Sequence, residues 1–129
     1  MIELPDPPQI LQSTVTIPLL KLQQLFTQEA SLIPLYAASL GYDMTDGDAW
    51  RNPKVFGEPG FSKGYGHPRS CHKIRLARDY NLFKDGTFLD DTEDHRVIGE
   101  WWKSRSPYHT WGGDFNDGNH YSFTKDGMK

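Results

Sequence analysis

The chain has 129 residues, of which 36% are hydrophobic and 13% aromatic, and it carries a formal net charge of −3. This length and apolar content favour one folded domain with its own core over a disordered chain. The net negative charge argues against a nucleic-acid-binding protein, and the absence of an apolar run of about 20 residues argues against membrane insertion.

The N-terminal third is predicted to be an arm followed by an interrupted helix. Residues 1–9 are rich in proline and indicate an extended arm. Pro18 is suited to open a helix, because its missing N–H costs nothing at the first helical position. Apolar residues then recur at helical spacing, but Pro34 should kink or split the helix near residues 30–33. Gly41 is predicted to end it.

The middle of the chain is predicted to hold two extended segments, a long loop and a longer strand. Residues 42–45 indicate a short strand or turn, and a second extended piece should end at Trp50 and Arg51. The stretch 52–69 contains four glycines and three prolines, which predicts a long surface loop. Residues 76–83, LARDYNLF, alternate in the manner of a strand.

The last third is predicted to be a turn, a helix and a final strand. After the turn KDGTFLDD, the helix should begin near Asp91 or Thr92, which suit N-capping, and Pro107 should end it. Its apolar face comprises Val97, Ile98, Trp101 and Trp102. His95 is expected at its surface. A glycine-rich turn leads into a strand over residues 120–123, and the mixed order of helices and strands predicts an α+β fold.

Two histidine–aspartate pairs have spacings that carry structural information. His72 and Asp79 are seven residues apart, an odd number that places them on opposite faces of one straight strand. They can meet only if the chain bends between them, with His72 in the turn before the strand. The same parity applies to Asp117, in the predicted turn, and His120, at the start of the last strand. Two such units side by side would bring all four residues into one pocket.

The two histidines and two aspartates suit a catalytic zinc site. Such a site uses three protein ligands and leaves the fourth position for a water molecule, whose pKa the metal lowers towards neutrality. A carboxylate outside the ligand set can accept the proton of that water. Spacing alone leaves Asp79 and Asp117 free to exchange the roles of ligand and base. It also leaves open that all four are ordinary polar residues at strand ends.

Cys71 is the only cysteine, so the chain has no internal disulfide. Its neighbour His72 is a poor candidate for an activating base, because adjacent residues on an extended chain point in opposite directions. A pair with His67, His109 or His120 stays open. A small, partly buried filler is the favoured interpretation of Cys71.

Three segments, DAWRNP, SCHKIRLARDYNLF and WGGDFNDGNHYSF, resemble the VanY-like zinc peptidases. That family includes D-alanyl-D-alanine carboxypeptidases and the L-alanyl-D-glutamate peptidases found as bacteriophage endolysins. Its pattern is Ser-x-His with Asp seven residues after the His, then an acidic residue with His three positions on and an aromatic next, and an arginine upstream. The residues that meet it are Arg51, Ser70, His72, Asp79, Asp117, His120 and Tyr121.

The resemblance spans residues 36–123 and departs from the family pattern at two positions. Arg75 stands where family members often have glycine. Asp117 stands where the carboxypeptidase branch commonly has glutamate, and the shorter side chain favours the endolysin branch. The family fold implied is Hedgehog/D-Ala-D-Ala peptidase-like, a small antiparallel sheet with flanking helices and zinc in a cleft on the sheet.

The resemblance also implies roles for individual residues. The implied zinc ligands are His72, Asp79 and His120. Asp117 would be the general base and acid, and Arg51 would bind the scissile carbonyl or a substrate carboxylate. Ser70 would support the metal ligands or the substrate. Beyond the resemblance, further candidates for contact with substrate are His109, with a plain surface position as its alternative, Tyr121, and Trp111, for which core packing is an equal or better interpretation.

We therefore predict a phage-type endolysin, a zinc-dependent peptidase that hydrolyses the L-alanyl–D-glutamate bond of peptidoglycan stem peptides. The alternatives are a D-alanyl-D-alanine carboxypeptidase and a non-catalytic zinc-containing module that binds the cell wall. One monomeric domain is expected over residues 1–129, without a separate cell-wall-binding domain. Because the N-terminus lacks the features of a secretory signal, we expect the protein to stay in the host cytoplasm until a holin-like membrane lesion releases it.

Overall fold

The computed structural model describes residues 3–129, in which five strands form one antiparallel sheet flanked by helices. The strands are β1 (Asp43–Asp46), β2 (Ala77–Lys84), β3 (Thr87–Leu89), β4 (His109–Trp111) and β5 (His120–Phe123). The α-helices are α1 (Leu19–Ala30), α2 (Leu32–Ser39), α3 (Pro53–Phe56) and α4 (Arg96–Ser104). This arrangement confirms the predicted α+β class with a small antiparallel sheet.

Strand β2 is the centre of the sheet, whose order is β1-β2-β5-β4 with β3 also paired to β2. The first half of β2 pairs with β5, and its second half pairs with β1 and β3. In the first half, Asp79 stands directly opposite His120. The neighbouring side chains Tyr80 and Tyr121 point to the other face and are buried in the core. The sheet thus separates an apolar core from a polar face.

The N-terminal helical region is split as the sequence predicts. Helix α1 ends at Ala30 and α2 begins at Leu32, two residues before Pro34. Helix α1 buries Phe26 against the core, where its ring meets that of Phe123 at a centroid distance of 5.2 Å. None of the helices in residues 3–129 combines the length and hydropathy that a membrane crossing requires.

The second predicted helix also forms, with a narrower apolar face than expected. A 3-10 turn over Thr92–His95 precedes α4, and the side chains of Asp91 and Asp94 form a capping box at its start. Ile98 and Trp102, four residues apart, are fully buried. The sequence also predicts Val97 on this face, but its side chain lies more than a quarter of a turn away from both Ile98 and Trp102 and is 58% exposed.

The expectation that His95 lies at the surface is wrong. Its side chain is only 2% exposed, and its Nδ1 atom lies 3.3 Å from the Tyr121 hydroxyl. Because His95 lies in the 3-10 turn before α4, its side chain points towards Tyr121 on the core-facing side of the sheet and not outward from the helix. Burial lowers the pKa of His95, because the charged imidazolium would lose its hydration.

Three elements, β3, α3 and β4, lie where the sequence suggested only irregular chain, and β4 occupies the start of the predicted glycine-rich turn. Residues 84–91 are predicted as a turn, but residues 87–89 form β3, and only Asp85 and Gly86, both with positive φ at 49° and 78°, turn the chain in the β2–β3 hairpin. An Asp-Gly pair between extended segments is the usual signal for such a hairpin. Within the predicted 52–69 loop, Asn52 caps the short helix α3, and the rest of the loop is irregular.

A buried charged network ties the N-terminal region to the far side of the sheet. Glu29 on α1 accepts a hydrogen bond from Arg105 Nε at 2.7 Å and one from His109 Nε2 at 3.0 Å. Arg105 Nη2 also donates to the Pro5 carbonyl at 2.8 Å, which fixes part of the predicted N-terminal arm. Burial alone would raise the pKa of Glu29, but the hydrogen bonds from His109 and Arg105 bring it below its ordinary value.

We expect Glu29→Gln to lower the free energy of unfolding by about 3–5 kcal/mol, because it leaves the Arg105 guanidinium buried without a counter-charge. Urea unfolding at neutral pH measures this. The matched control is Glu93→Gln, which breaks an exposed, solvent-screened pair with Arg96 and should leave the urea midpoint almost unchanged. Equal and small effects in the two variants would contradict the stabilising role of the buried network.

Candidate metal centre and cleft

The turn that carries His72 has the bend that its spacing to Asp79 predicted. Residues Cys71–Ile74 form a 3-10 turn whose first N–H groups are capped by Ser70, with the His72 N–H donating to Ser70 Oγ at 3.2 Å. Arg75 then takes a left-handed conformation, φ 59°, which reverses the chain into β2. His72 Nε2 thereby lies 3.0 Å from Asp79 Oδ1.

Arg75 occupies a backbone conformation that usually favours glycine. A left-handed conformation costs a side-chain-bearing residue roughly 1–2 kcal/mol and costs glycine almost nothing. The Arg75 guanidinium lies over the ring of Trp50, 3.9 Å from its centroid, a contact that offsets part of this cost. The turn can therefore form with arginine at this position.

The third member of the cluster, His120, is positioned by the pairing register of β2 and β5. His120 begins β5 opposite Asp79 on β2, and its Nδ1 atom lies 3.4 Å from Asp79 Oδ1 and 3.2 Å from His72 Nε2. All three side chains are buried. This buried His72–Asp79–His120 group could hold a metal ion.

The protonation pattern of the cluster fits a bound cation. His72 Nδ1 lies 2.5 Å from the Ala49 carbonyl, so this nitrogen carries the proton and donates it. With this proton on Nδ1, an unprotonated Nε2 directs its lone pair at the carboxylate oxygen of Asp79, which is also an acceptor. The three facing atoms are 3.0–3.4 Å apart, close to the ~3.3 Å edge of a tetrahedron with ligand bonds of about 2.0–2.1 Å.

Asp79 is ionised within this cluster. Burial alone would raise the pKa of its carboxyl group, but the adjacent imidazoles of His120 and His72 lower it to about 2, because a proton on either ring, like a metal ion, offsets the carboxylate charge. An ionised carboxylate between two imidazoles is a ligand set that a divalent cation favours.

Asp117 lies beside the cluster and not within it. Its backbone N–H donates to the Gly112 carbonyl at 2.8 Å, which closes the turn before β5. Gly112 is needed there, because a Cβ atom would come within 2.1 Å of the Asp117 carbonyl oxygen. Asp117 Oδ2 is 3.9 Å from His120 Nδ1, and half of the Asp117 side chain is exposed. Partial burial raises the pKa of Asp117.

This difference distinguishes the two aspartates whose roles the spacing left open. Asp79 is enclosed by the imidazoles, whereas Asp117 stands at the rim with one side towards solvent. The geometry favours Asp79 as the ligand and Asp117 as a group free to exchange protons with a substrate or water.

The predicted extended piece before residue 52 forms no strand but is fixed against the cluster by backbone hydrogen bonds. Asp79 N–H donates to the Asp48 carbonyl at 2.7 Å, and Arg51 N–H donates to the His72 carbonyl at 3.0 Å. The Arg51 side chain then reaches Ser70, with Nη1 donating to Oγ at 3.3 Å, and its Nη2 lies 4.0 Å from Asp79 Oδ2. Two polar residues predicted to assist the site, Arg51 and Ser70, therefore lie next to the cluster.

A cleft of about 510 Å³ opens over the cluster, a volume typical of ligand sites. Predicted site residues in its lining are Arg51, Ser70, His72, Asp117 and His120. The additional lining residues are Gly66, His67, Arg69, Phe115, Gly127 and Lys129. Phe115, whose ring centroid is 5.5 Å from that of His120, had no distinctive sequence signal. Arg69 and Lys129 come together only because the C-terminal segment folds back to the cleft.

Three candidates for substrate contact lie elsewhere. Trp111 and Tyr121 have no exposed surface, and neither lines the cleft. The His109 side chain belongs to the Glu29 network, with Nδ1 accepting from Ser106 Oγ at 2.6 Å. Tyr121 follows His120 in the strand and so points to the opposite, core-facing side of the sheet. Direct contact of these three side chains with a substrate is not compatible with their positions.

Cys71 is a buried filler. Its thiol donates to the Phe123 carbonyl at 3.2 Å, and burial raises its pKa to about 12. A thiol of this kind is neutral at physiological pH and is a weak nucleophile. The structure thus gives no support to the alternative of cysteine catalysis.

No protein-family model and no curated protein matches the chain.

We expect iodoacetamide to leave Cys71 unmodified in the native protein at mildly alkaline pH, because the thiol is buried and protonated. Unfolding in urea should expose it to complete alkylation, which intact-mass spectrometry detects. Rapid alkylation of the native protein would show instead that the thiol is accessible and ionised.

We expect zinc-depleted protein to bind one equivalent of zinc in a calorimetric titration. His120→Ala should lose stoichiometric binding, because it removes one of three convergent ligand atoms. Asp117→Asn should retain it. Circular dichroism of each variant controls for loss of the fold. Equal loss of zinc from the two variants would instead put Asp117 in the ligand set.

Proposed function

We propose that the protein is a zinc-dependent peptidase that acts on the stem peptides of peptidoglycan. The observation that carries the proposal is the buried His72–Asp79–His120 group with a half-exposed carboxylate, Asp117, 3.9 Å from His120 at the mouth of a cleft. Peptide hydrolysis at a metal site needs metal ligands, a group that accepts a proton and a group that binds the scissile carbonyl. The cluster, Asp117 and Arg51 can supply these three functions.

His72 Nε2, Asp79 Oδ1 and His120 Nδ1 would hold the metal, and two imidazoles with one carboxylate form a ligand set that suits zinc. When bound, zinc supplies Lewis-acid chemistry that polarises a peptide carbonyl and lowers the pKa of water. The Ala49 carbonyl fixes the His72 tautomer and so keeps Nε2 unprotonated for this purpose.

Asp117 moves the proton in this scheme. Its carboxylate accepts a proton from the attacking water and donates it to the nitrogen of the leaving amine. Partial burial, which raises its pKa, makes the carboxyl group a stronger base and brings its proton exchange closer to neutral pH. Exposure of half of the side chain gives the carboxylate access to both water and substrate.

Arg51 binds and orients the substrate. Its guanidinium faces the cleft and is held at Nε by Asp48 and at Nη1 by Ser70. The remaining N–H groups can donate to the scissile carbonyl as negative charge develops on its oxygen, or to a substrate carboxylate.

The substrate assignment rests on the resemblance to the VanY-like peptidases. We infer cleavage of the L-alanyl–D-glutamate bond by an endolysin-type enzyme, which reaches the wall after another protein permeabilises the membrane. A D-alanyl-D-alanine carboxypeptidase is the second candidate, favoured by one observation. Arg69 and Lys129 line the same cleft as Arg51 and provide cations that could hold a terminal carboxylate.

We expect purified zinc-loaded protein to release peptides from peptidoglycan, and mass spectrometry of the digest to identify the cleaved bond. A new N-terminal glutamate indicates the endopeptidase, and free D-alanine indicates the carboxypeptidase. Asp117→Asn should lower the rate about 100- to 10,000-fold, because it removes the proton acceptor while leaving the ligands in place.

Asp114→Asn is the matched control, since Asp114 lies in the same turn, exposed and paired with Lys103, and should leave the rate unchanged. A wild-type protein that binds zinc but leaves peptidoglycan intact would contradict the peptidase and support a non-catalytic module.

A further inference from the structure

The Arg51 side chain is fixed by the loop that follows it. Tyr65 places its ring 5.1 Å from the Arg51 guanidinium, and its hydroxyl donates to Asp48 Oδ2 at 2.7 Å. The same Asp48 oxygen accepts from Arg51 Nε at 3.2 Å. The hydrogen bond to Asp48 raises the pKa of the Tyr65 phenol, as expected for a donor held by a carboxylate. Asp48 therefore links the loop to the arginine.

Gly66 provides the close approach between the loop and Arg51. A Cβ atom on Gly66 would lie 2.5 Å from Arg51 Nη1 and 3.1 Å from its Cζ. The backbone of the loop thus forms a wall directly against the guanidinium. A side chain at position 66 would push the guanidinium away from this wall.

The loop in turn is held by a buried lysine next to the metal cluster. Lys73 is only 4% exposed, and its ammonium donates to the carbonyls of Phe61 at 2.5 Å and Pro68 at 3.1 Å. A third, longer hydrogen bond of 3.5 Å goes to the Glu58 carbonyl. Burying a cation is costly, and these three carbonyls come from both ends of the loop. The hydrogen bonds of the Lys73 ammonium therefore hold the two ends of the loop together.

We propose that residues 57–68 form a clamp that positions the Arg51 guanidinium against the cleft, and that Lys73 holds the clamp closed. The inference rests on the proposed function only for its effect on catalysis. The clamp contains or is held by three positioning residues, Tyr65, Gly66 and Lys73. They act through Arg51, because they orient its free N–H groups towards the cleft. Lys73 follows His72 directly, so the same turn fixes both the metal cluster and the clamp.

The two glycines at positions 60 and 66 allow a matched test. Both have nearly the same φ, 95° and 96°, but a Cβ on Gly60 meets nothing within 4 Å. Alanine therefore imposes similar backbone strain at either position, and only Gly66→Ala displaces Arg51. We expect Gly66→Ala to lower kcat/KM about 100-fold relative to Gly60→Ala, as for a misplaced binding group. Zinc stoichiometry should stay at one equivalent in both variants.

The NMR resonance of the Arg51 Nε–H group gives a readout that does not require activity. It is assigned as the signal that disappears in Arg51→Lys. We expect Gly66→Ala to shift it and Gly60→Ala to leave it as in the wild type. Lys73→Met should shift the same resonance and speed amide exchange over residues 57–68, whereas the exposed Lys63→Met should change neither.

An unshifted resonance in Gly66→Ala, or an unshifted resonance in Lys73→Met, would overturn the clamp. If the wild type binds zinc and hydrolyses nothing, the proposed peptidase fails, and the resonance still decides whether the loop positions Arg51. If the resonance shifts but kcat/KM falls equally in Gly60→Ala and Gly66→Ala, the positioning role in catalysis is overturned.

Discussion

The antiparallel pairing of β2 with β5 is the constraint on which the candidate site depends. It places Asp79 opposite His120 on one face of the sheet, and the left-handed turn at Arg75 brings His72 back onto the same point. A shift of one residue in this register would turn Asp79 and His120 to opposite faces and destroy the cluster. The core side chains of the opposite face, such as Tyr121 and Phe123, resist such a shift because they would have to leave their buried positions. Apolar packing on one face therefore sets the chemistry on the other.

The protein contains two buried polar clusters that differ in how their charges are balanced. Around Glu29, each acceptor faces a donor, and Arg105 and His109 complete the network without any outside group. Around Asp79, one nitrogen of each imidazole and one carboxylate oxygen face one another at 3.0–3.4 Å, and the facing nitrogen of His72 is an acceptor because Ala49 holds the proton on its other nitrogen. The first cluster is closed by the chain itself and stabilises the fold. The second is balanced only when a cation, either a proton or a metal ion, lies between its acceptors.

The sequence predicts those features that depend on local parity and turn chemistry. The odd spacing between His72 and Asp79 implies the bend, and Pro34 implies the split helix, because both constraints act over a few residues. The burial of His109 could not be foreseen, since its partner Glu29 lies 80 residues away in the chain. The same holds for Arg69 and Lys129, which meet at the cleft only in the folded protein. The hairpin at Asp85 and Gly86 did have a local signal, because an Asp-Gly pair between extended segments predicts two paired strands and not only a turn.

The distance along the chain between the ligands also has a consequence for the order of events during synthesis. His120 follows His72 by 48 residues, and its strand must pair with β2 before this third member of the candidate metal group is in place. A nascent chain that ends before β5 can offer a metal ion only an incomplete and unshaped set of groups. Binding of a metal ion by this group would therefore be a late step that follows closure of the sheet. An ion that binds the folded group and not the unfolded chain would stabilise the folded state, so the local ion concentration would then influence how much of the newly made protein stays folded.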